Sequence, residues 1–247
     1  DATRNGCLVL AAGRVFLLPS PATLGAATSG GSVANTVGVM HELADKASAV
    51  AFRAGRILVA SDEQVLVLDE NGNELTRVTV EQGASALGIA DGGRLLAVGY
   101  DAGDIELRPI DPGAARLGFG FEETEPYPVE KIVEGPRQTV IVGYASGHLG
   151  IWSLQSGKRL LNFKLHGPIA HLLVDRESRR LYAATEVGDY RAIDLAALYQ
   201  DYCELLSDVW NNVPVVWQEG MPALSPPPSS HRCVATSKGA RPKTEAR

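Results

Sequence analysis

Four segments of this chain repeat one another: Ile57–Leu68, Leu95–Arg108, Val140–Trp152 and Leu181–Ile193. Each is a short apolar run, a turn, and a second apolar run whose residues alternate. The turns hold Gly103-Asp104, Gly147-His148 and Gly188-Asp189, with Glu63-Gln64 in the first copy. The second runs begin at Val65, Ile105, Leu149 and Tyr190, so the copies stand 40, 44 and 41 residues apart. Alternation is the pattern of a strand whose two faces meet different surroundings, and glycine supplies the positive φ that tight hairpin turns need. A unit of this length with about four short strands buries its faces only by stacking on its neighbours.

That period is the one expected of β-propeller blades. The clearest copy predicts a first strand at Val129–Val133, a second at Thr139–Tyr144, a third at Leu149–Leu154 and a fourth at Arg159–Leu165. At the N-terminal end, Cys7–Ala12, Val15–Leu18 and Val37–Leu43 read as the last three strands of a blade, with a loop over Pro19–Asn35 rich in Pro, Gly, Ser, Ala and Thr. At the other end, Ile169–Asp175, Leu181–Thr185 and Tyr190–Ile193 supply three strands without an obvious fourth. The expected fold class is all-β: a propeller of about five visible blades, two of them incomplete, spanning residues 1–195. Rings of four to eight blades are usual, so the remainder is expected upstream of Asp1.

Gly147-His148-Leu149-Gly150-Ile151-Trp152-Ser153-Leu154 resembles the third-strand signature of WD-repeat proteins, with Trp152 on the repeat's Trp and Ser153 in place of its Asp. The other copies carry Leu68-Asp69, Arg108-Pro109 and Ile193-Asp194 there. They are degenerate WD-like repeats, and quinoprotein-type propellers are similar to them as well. Asp69-Glu70-Asn71-Gly72-Asn73 reads as a hairpin turn. Its Asp-x-Asn-x-Asn spacing lacks the later Gly and Glu of a calcium loop, since Glu74 and Val80 stand there.

After Asp194 the period lengthens to about 3.6. Leu198, Tyr202, Leu205, Leu206 and Val209 fall on one face of a helix predicted over Ala196–Asn212, with Asp194 as N-cap and Pro214 as its stop. Val213–Trp217 then reads as a strand, the candidate fourth strand of the last blade. Residues 196–222 are thus expected to be a helix and closing strand packed on the propeller through Trp210 and Trp217. Residues 223–247 form a Pro-rich basic tail. Asp201-Tyr202-Cys203, Trp210, Val213-Pro214-Val215-Val216-Trp217, Gly220 and His231-Arg232-Cys233 together resemble the end of propeller modules in large bacterial signalling proteins. The resemblance implies a serine/threonine kinase or NTPase upstream and carries no catalytic residue into this chain.

The net charge of −6 is uneven, because residues 223–247 hold five bases against Glu245, leaving −10 on residues 1–222. An acidic body argues against nucleic acid, whose phosphates call for a basic footprint. No apolar run reaches the length of a membrane span. The three cysteines, Cys7, Cys203 and Cys233, are too scattered for a disulfide scaffold. A cytoplasmic setting follows as the expectation, with a buried thiol at Cys203 and a free one at Cys233. A Cys203–Cys233 disulfide and a metal site on His231, Cys233, Cys203 and His166 or His171 are the lesser alternatives.

Motifs for catalysis are wanting. The sequence holds no phosphate loop and no Gly-x-Ser-x-Gly elbow, and His41-Glu42 is followed by Asp45 where a zinc protease needs its second His. The expectation is therefore a non-enzyme with no cofactor and no metal, an interaction or sensing module. Its binding face would be built from the loops after the second and fourth strands. Those loops carry Asp62, Glu63, Tyr100, Asp101, Asp104, Tyr127, Tyr144, His148, His166, Glu186 and Asp189. Such a face suits a basic protein or peptide, alongside the upstream domain of the same polypeptide. Two rivals remain: a lactonase- or quinoprotein-type propeller enzyme with a metal or cofactor on its axis, and a structural subunit completed by another chain.

Overall fold

The structure is a computed structural model. It describes residues 6–11, 14–19, 38–42, 47–53, 55–61, 63–69, 71–80, 84–111, 113, 120–213, 215–218, 220–224 and 231–237. The chain divides into two compact units, Asp1–Ile193 and Asp194–Arg247.

The first unit is a series of antiparallel meanders. Strands β1 (Gly6–Ala11), β2 (Arg14–Pro19) and β3 (Gly38–Glu42) form one sheet, and β4 (Ala49–Arg53), β5 (Arg56–Ser61), β6 (Gln64–Leu68) and β7 (Glu74–Thr79) the next. Then follow β8 (Ala84–Ala90), β9 (Leu95–Tyr100) and β10 (Ile105–Pro109). The fourth sheet holds β11 (Val129–Glu134), β12 (Thr139–Tyr144), β13 (His148–Ser153) and β14 (Arg159–Lys164). The fifth holds β15 (Ile169–Asp175), β16 (Arg180–Thr185) and β17 (Tyr190–Asp194). Val65, Ile105 and Leu149 pair with Ala60, Gly99 and Gly143, matching positions on successive second strands. The repeat legible in the sequence is therefore a repeat of register. The β8–β10 sheet departs from the four-strand expectation, with no fourth strand among the described residues. The Pro19–Asn35 loop and the ends of the first predicted strands lie largely outside those residues.

Successive sheets stack through their first strands, β4 beside β8, β8 beside β11, and β11 beside β15. The middle strands consequently lose both faces to neighbouring sheets, and every residue of β9 and β12 is buried. Two-sided burial is why these strands read as continuous apolar runs instead of alternating ones. One core layer joins Leu58, Ala60, Val65 and Val67 to Leu87, Ile89, Leu96 and Val98. The next joins Ala97, Ile105 and Leu107 to Ile132, Val140, Val142 and Trp152. Polar latches cross the seams at the turns after the first strands. Arg56 Nη1 donates to the Gly93 carbonyl (2.7 Å), the Gly92 N–H to Glu134 Oε1 (2.6 Å), and Arg176 Nη2 to Glu134 Oε2 (3.0 Å).

The hairpin turn at Asp69–Asn73 is built as its sequence implies. Asp69 Oδ1 accepts from the backbone N–H groups of Asn71 and Asn73, and Gly72 takes a φ of +86°.

The second unit corrects three expectations. Instead of one helix there are two, Ala196–Tyr199 and Tyr202–Asn212. Asp201 starts the second helix: its carboxylate accepts from the N–H groups of Cys203 and Glu204, and Glu204 accepts from the Asp201 N–H. This capping box satisfies N-terminal donors that a continuous helix would have paired with carbonyls, so the break costs little. Asp194 still accepts from the Ala196 N–H (2.7 Å). The apolar face is not buried either, since no residue of the Tyr202–Asn212 helix is. Second, β18 (Val215–Gln218) pairs with β19 (Met221–Leu224) in a hairpin of its own and does not close the last sheet. Third, Cys203 and Cys233 form a disulfide, their Cα atoms 5.0 Å apart. The capped helix and a third short helix, Arg232–Ser237, bring together thiols that lie 30 residues apart in sequence. With both sulfurs bonded, the free-thiol ground for a reducing compartment is gone.

Candidate functional site

The turns joining second to third strands, and the connections from one sheet to the next, lie at one end of the stacked sheets. Close backbone approaches knit them together. Gly103, at φ +94°, sits so near the 125–127 segment that a Cβ there would fall 1.7 Å from the Glu125 carbonyl oxygen. Gly147, at φ +84°, is backed in the same way by the carbonyls of Leu165 and Gly167. Left-handed backbone and absence of a side chain are both required, so each turn glycine fixes a turn against the segment that leads into the next sheet. Val187 touches Gly167, and the Val80 N–H donates to the Glu63 carbonyl, which extends the rim in both directions.

Glu63, Asp101, Asp104, His166 and Glu186 are exposed on this rim, and Tyr127 is 46 % exposed. Asp62 lies outside the described residues. Asp189 Oδ2 accepts from the His166 backbone N–H (2.9 Å) and stands 3.1 Å from His166 Nδ1. Those hydrogen bonds favour the ionised form and hold the Asp189 carboxyl below the usual range. His148 is partly buried, with Nδ1 3.0 Å from Ser146 Oγ and 3.6 Å from Glu125 Oε2.

Tyr100 and Tyr144 are placed differently from the sequence expectation: both rings are buried, and neither faces solvent as a partner anchor. Their shared Val-Gly-Tyr position points toward the preceding sheet, so each packs in the layer between sheets. Tyr100 donates from its hydroxyl to Glu106 Oε2 (2.8 Å). Burial pushes the Tyr144 hydroxyl well above the ordinary tyrosine range, and the Glu125 carboxylate nearby pushes the same way. Of the three tyrosines expected on this face, Tyr127 is the one that is exposed.

Sequence reading also passed over the segment Glu122-Glu123-Thr124-Glu125, whose run of acids before Pro126 was the available signal. The Glu122 carbonyl accepts from Trp152 Nε1 (2.8 Å) and the Glu122 N–H donates to Gly157. Arg159 clamps the rest, reaching Glu123 Oε2 at 2.9 Å and Glu125 Oε1 at 2.8 Å. The outcome is an acidic edge in which Glu125 is neutralised by a neighbour while Asp101, Asp104 and Glu186 stand free of any ion pair among the described residues. Among the described residues no cluster of His, Cys, Asp and Glu is arranged to hold a metal ion, and no helix is long and apolar enough to cross a membrane.

No family model and no curated protein matches this chain. Solved structures do. The computationally designed Ika4 protein superposes with a TM-score of 0.51 at 16 % identity, covering 63 % of this chain and 95 % of Ika4. The designed Ika8 protein gives 0.52 at 15 %, covering 75 % of this chain and 56 % of the other. A chain of the Mitotic Checkpoint Complex gives 0.59 at 13 %, over 76 % of this chain and 57 % of that one. At such identities the likeness is one of fold: repeated antiparallel sheets resembling those of propeller and WD-repeat proteins.

Proposed function

We propose that this chain is a WD-like β-propeller module that captures a basic protein or peptide on its acidic rim, without catalysis, within a longer bacterial signalling polypeptide. The observation that carries the reading is the rim itself. Equivalent turns of successive sheets set Glu63, Asp101, Asp104 and Glu186 on one edge, with Tyr127 exposed beside them. Acids that are solvated and unpaired attract a cationic partner at long range, while an exposed aromatic contributes contact area once it is desolvated.

Charge reversal at Asp101 and Glu186 tests this, with a pull-down from the intact protein identifying the partner and stopped-flow mixing giving its rates. Association is expected to slow and its salt dependence to flatten, because rim charges act mainly on encounter. Tyr127→Ala is expected to raise the dissociation rate instead. Binding that survives all three changes places the contact surface elsewhere, and the Tyr202–Asn212 helix becomes the next candidate.

A further inference from the structure

Strand β14 is the last strand of the fourth sheet, with no described strand on its far side. Its register shows which backbone groups are left over. The Leu165 N–H donates to the Gly147 carbonyl, and in an antiparallel pair such bonds recur at every second residue. Phe163 and Leu161 thus bond to Leu149 and Ile151 opposite them. Asn162 and Lys164 turn their N–H and C=O groups outward, where no described backbone group meets them. Strand β7 ends the second sheet in the same way. The Val80 N–H donates to the Glu63 carbonyl, so Val78 and Thr76 bond inward while Arg77 and Thr79 face out. Each strand also bulges at one leucine, Leu75 or Leu160.

The two edges differ at their centre. On β7 the middle of the outward row is Arg77, whose guanidinium bonds to Glu74 and Gln64. Two such edges pairing antiparallel about that residue would set Arg77 against its own copy, and like charges directly opposite destabilise a sheet. On β14 the same place holds Asn162, exposed and uncharged. An amide both donates and accepts, so Asn162 can bond its own copy across a two-fold axis. In that register Leu161 falls opposite Phe163 of the second copy, and Phe163 opposite its Leu161. Lys164 falls beside Leu160 and turns its ammonium back to the Ser146 carbonyl. No like charges meet along this stretch, and Leu160 and Leu161, 45 and 37 % exposed, become covered. A slip of one residue would set outward backbone groups against inward ones.

We propose that the edge of β14 is a homodimer interface: β14 pairs antiparallel with β14 of a second copy, centred on Asn162, and joins the two fourth sheets edge to edge. The occupant follows from self-complementarity. A two-fold contact needs one patch that matches itself, and this edge supplies outward backbone groups, a Leu161–Phe163 match made twice, and a neutral centre. The bulge at Leu160 confines regular pairing to Leu161–Lys164, so the dimer is a weak one that forms with concentration. The rim acids take no part in this contact, which stands whether or not the rim captures a basic partner.

Sedimentation equilibrium of the 247-residue chain, from micromolar to several hundred micromolar, tests the proposal together with residue-resolved hydrogen exchange at both ends of that range. The mass is expected to rise toward that of a dimer, and the Asn162 and Lys164 amides to exchange more slowly as it does. Asn162→Arg, which places on β14 the residue type that β7 carries there, is expected to weaken dimerisation at least about tenfold. Asn162→Thr is expected to keep it, since threonine pairs suit a strand centre. A monomer at every concentration overturns the proposal, as does a dimer that Asn162→Arg leaves intact, which would place the interface elsewhere. Slow exchange at Asn162 and Lys164 that ignores concentration also overturns it, because another part of the same chain would then cover the edge.

Discussion

The indole N–H of Trp152 donates to the carbonyl oxygen of Glu122 over 2.8 Å, tying the third strand of the fourth sheet to the acidic segment that precedes it. The ring is wholly buried, and Phe121 and Tyr144 meet it edge-on with centroids 6.3 Å away. Gly150 leaves room for it, since a Cβ there would lie 2.2 Å from the indole. Trp152→Ala is therefore expected to cost about 3–5 kcal/mol in urea unfolding. Trp152→Phe should cost less, yet loosen Glu122–Glu125, seen as faster amide exchange there. A loss below about 1 kcal/mol for the alanine variant would contradict burial between sheets.

Arg108 stands where Trp152 stands in the next repeat, and it too is buried. Its guanidinium meets Glu106 Oε1 at 2.5 Å, while Tyr100 donates to the other oxygen of the same carboxylate at 2.8 Å. Arg108 is buried while the Glu106 side chain is 30 % exposed, so removing the arginine leaves a carboxylate that water only partly reaches. Arg108→Met alone should destabilise by about 2 kcal/mol, and Arg108→Met with Glu106→Gln by clearly less. Additive losses in the double variant would show that the pair is not coupled.

The Cys203–Cys233 bond stabilises the second unit chiefly by limiting its unfolded chain. For a separation of 30 residues the expected contribution is about 3–4 kcal/mol. Cys203→Ser or reduction should speed amide exchange across 202–212 and 231–237 and leave β8–β14 unchanged. Digestion without reductant should yield the linked peptide. Two free thiols in the oxidised protein would contradict the bond.

Asp189 should titrate below the ordinary aspartate value of about 3.9, because its folded carboxylate accepts from His166. A depressed carboxyl favours the fold above the unfolded value and loses that contribution as pH falls through the folded one. The His166–Asp189 link is thus expected intact at pH 5 and lost progressively below about pH 4. Carboxyl NMR measures this directly, and Asp189→Asn should abolish the acid-dependent change at the His166 amide.

The strands could be read from the sequence because their signals are local. Thr139–Tyr144 and Ile169–Asp175 are strands over the very residues that periodicity and turn glycines mark out. Turn chemistry at Asp69–Asn73 and the register repeat from Val65 to Leu149 come from short-range sterics, which the chain carries with it. Side-chain orientation on strands buried from both sides was not legible, since every position is apolar whichever neighbour it faces. Only the stacking of sheets decided that Tyr100 and Tyr144 turn inward while Tyr127 stays exposed. Likewise, the pairing of Arg108 with Glu106 and of Cys203 with Cys233 depends on which backbones come within reach. Residue types set the candidates, and the distance between them is settled by the tertiary fold alone.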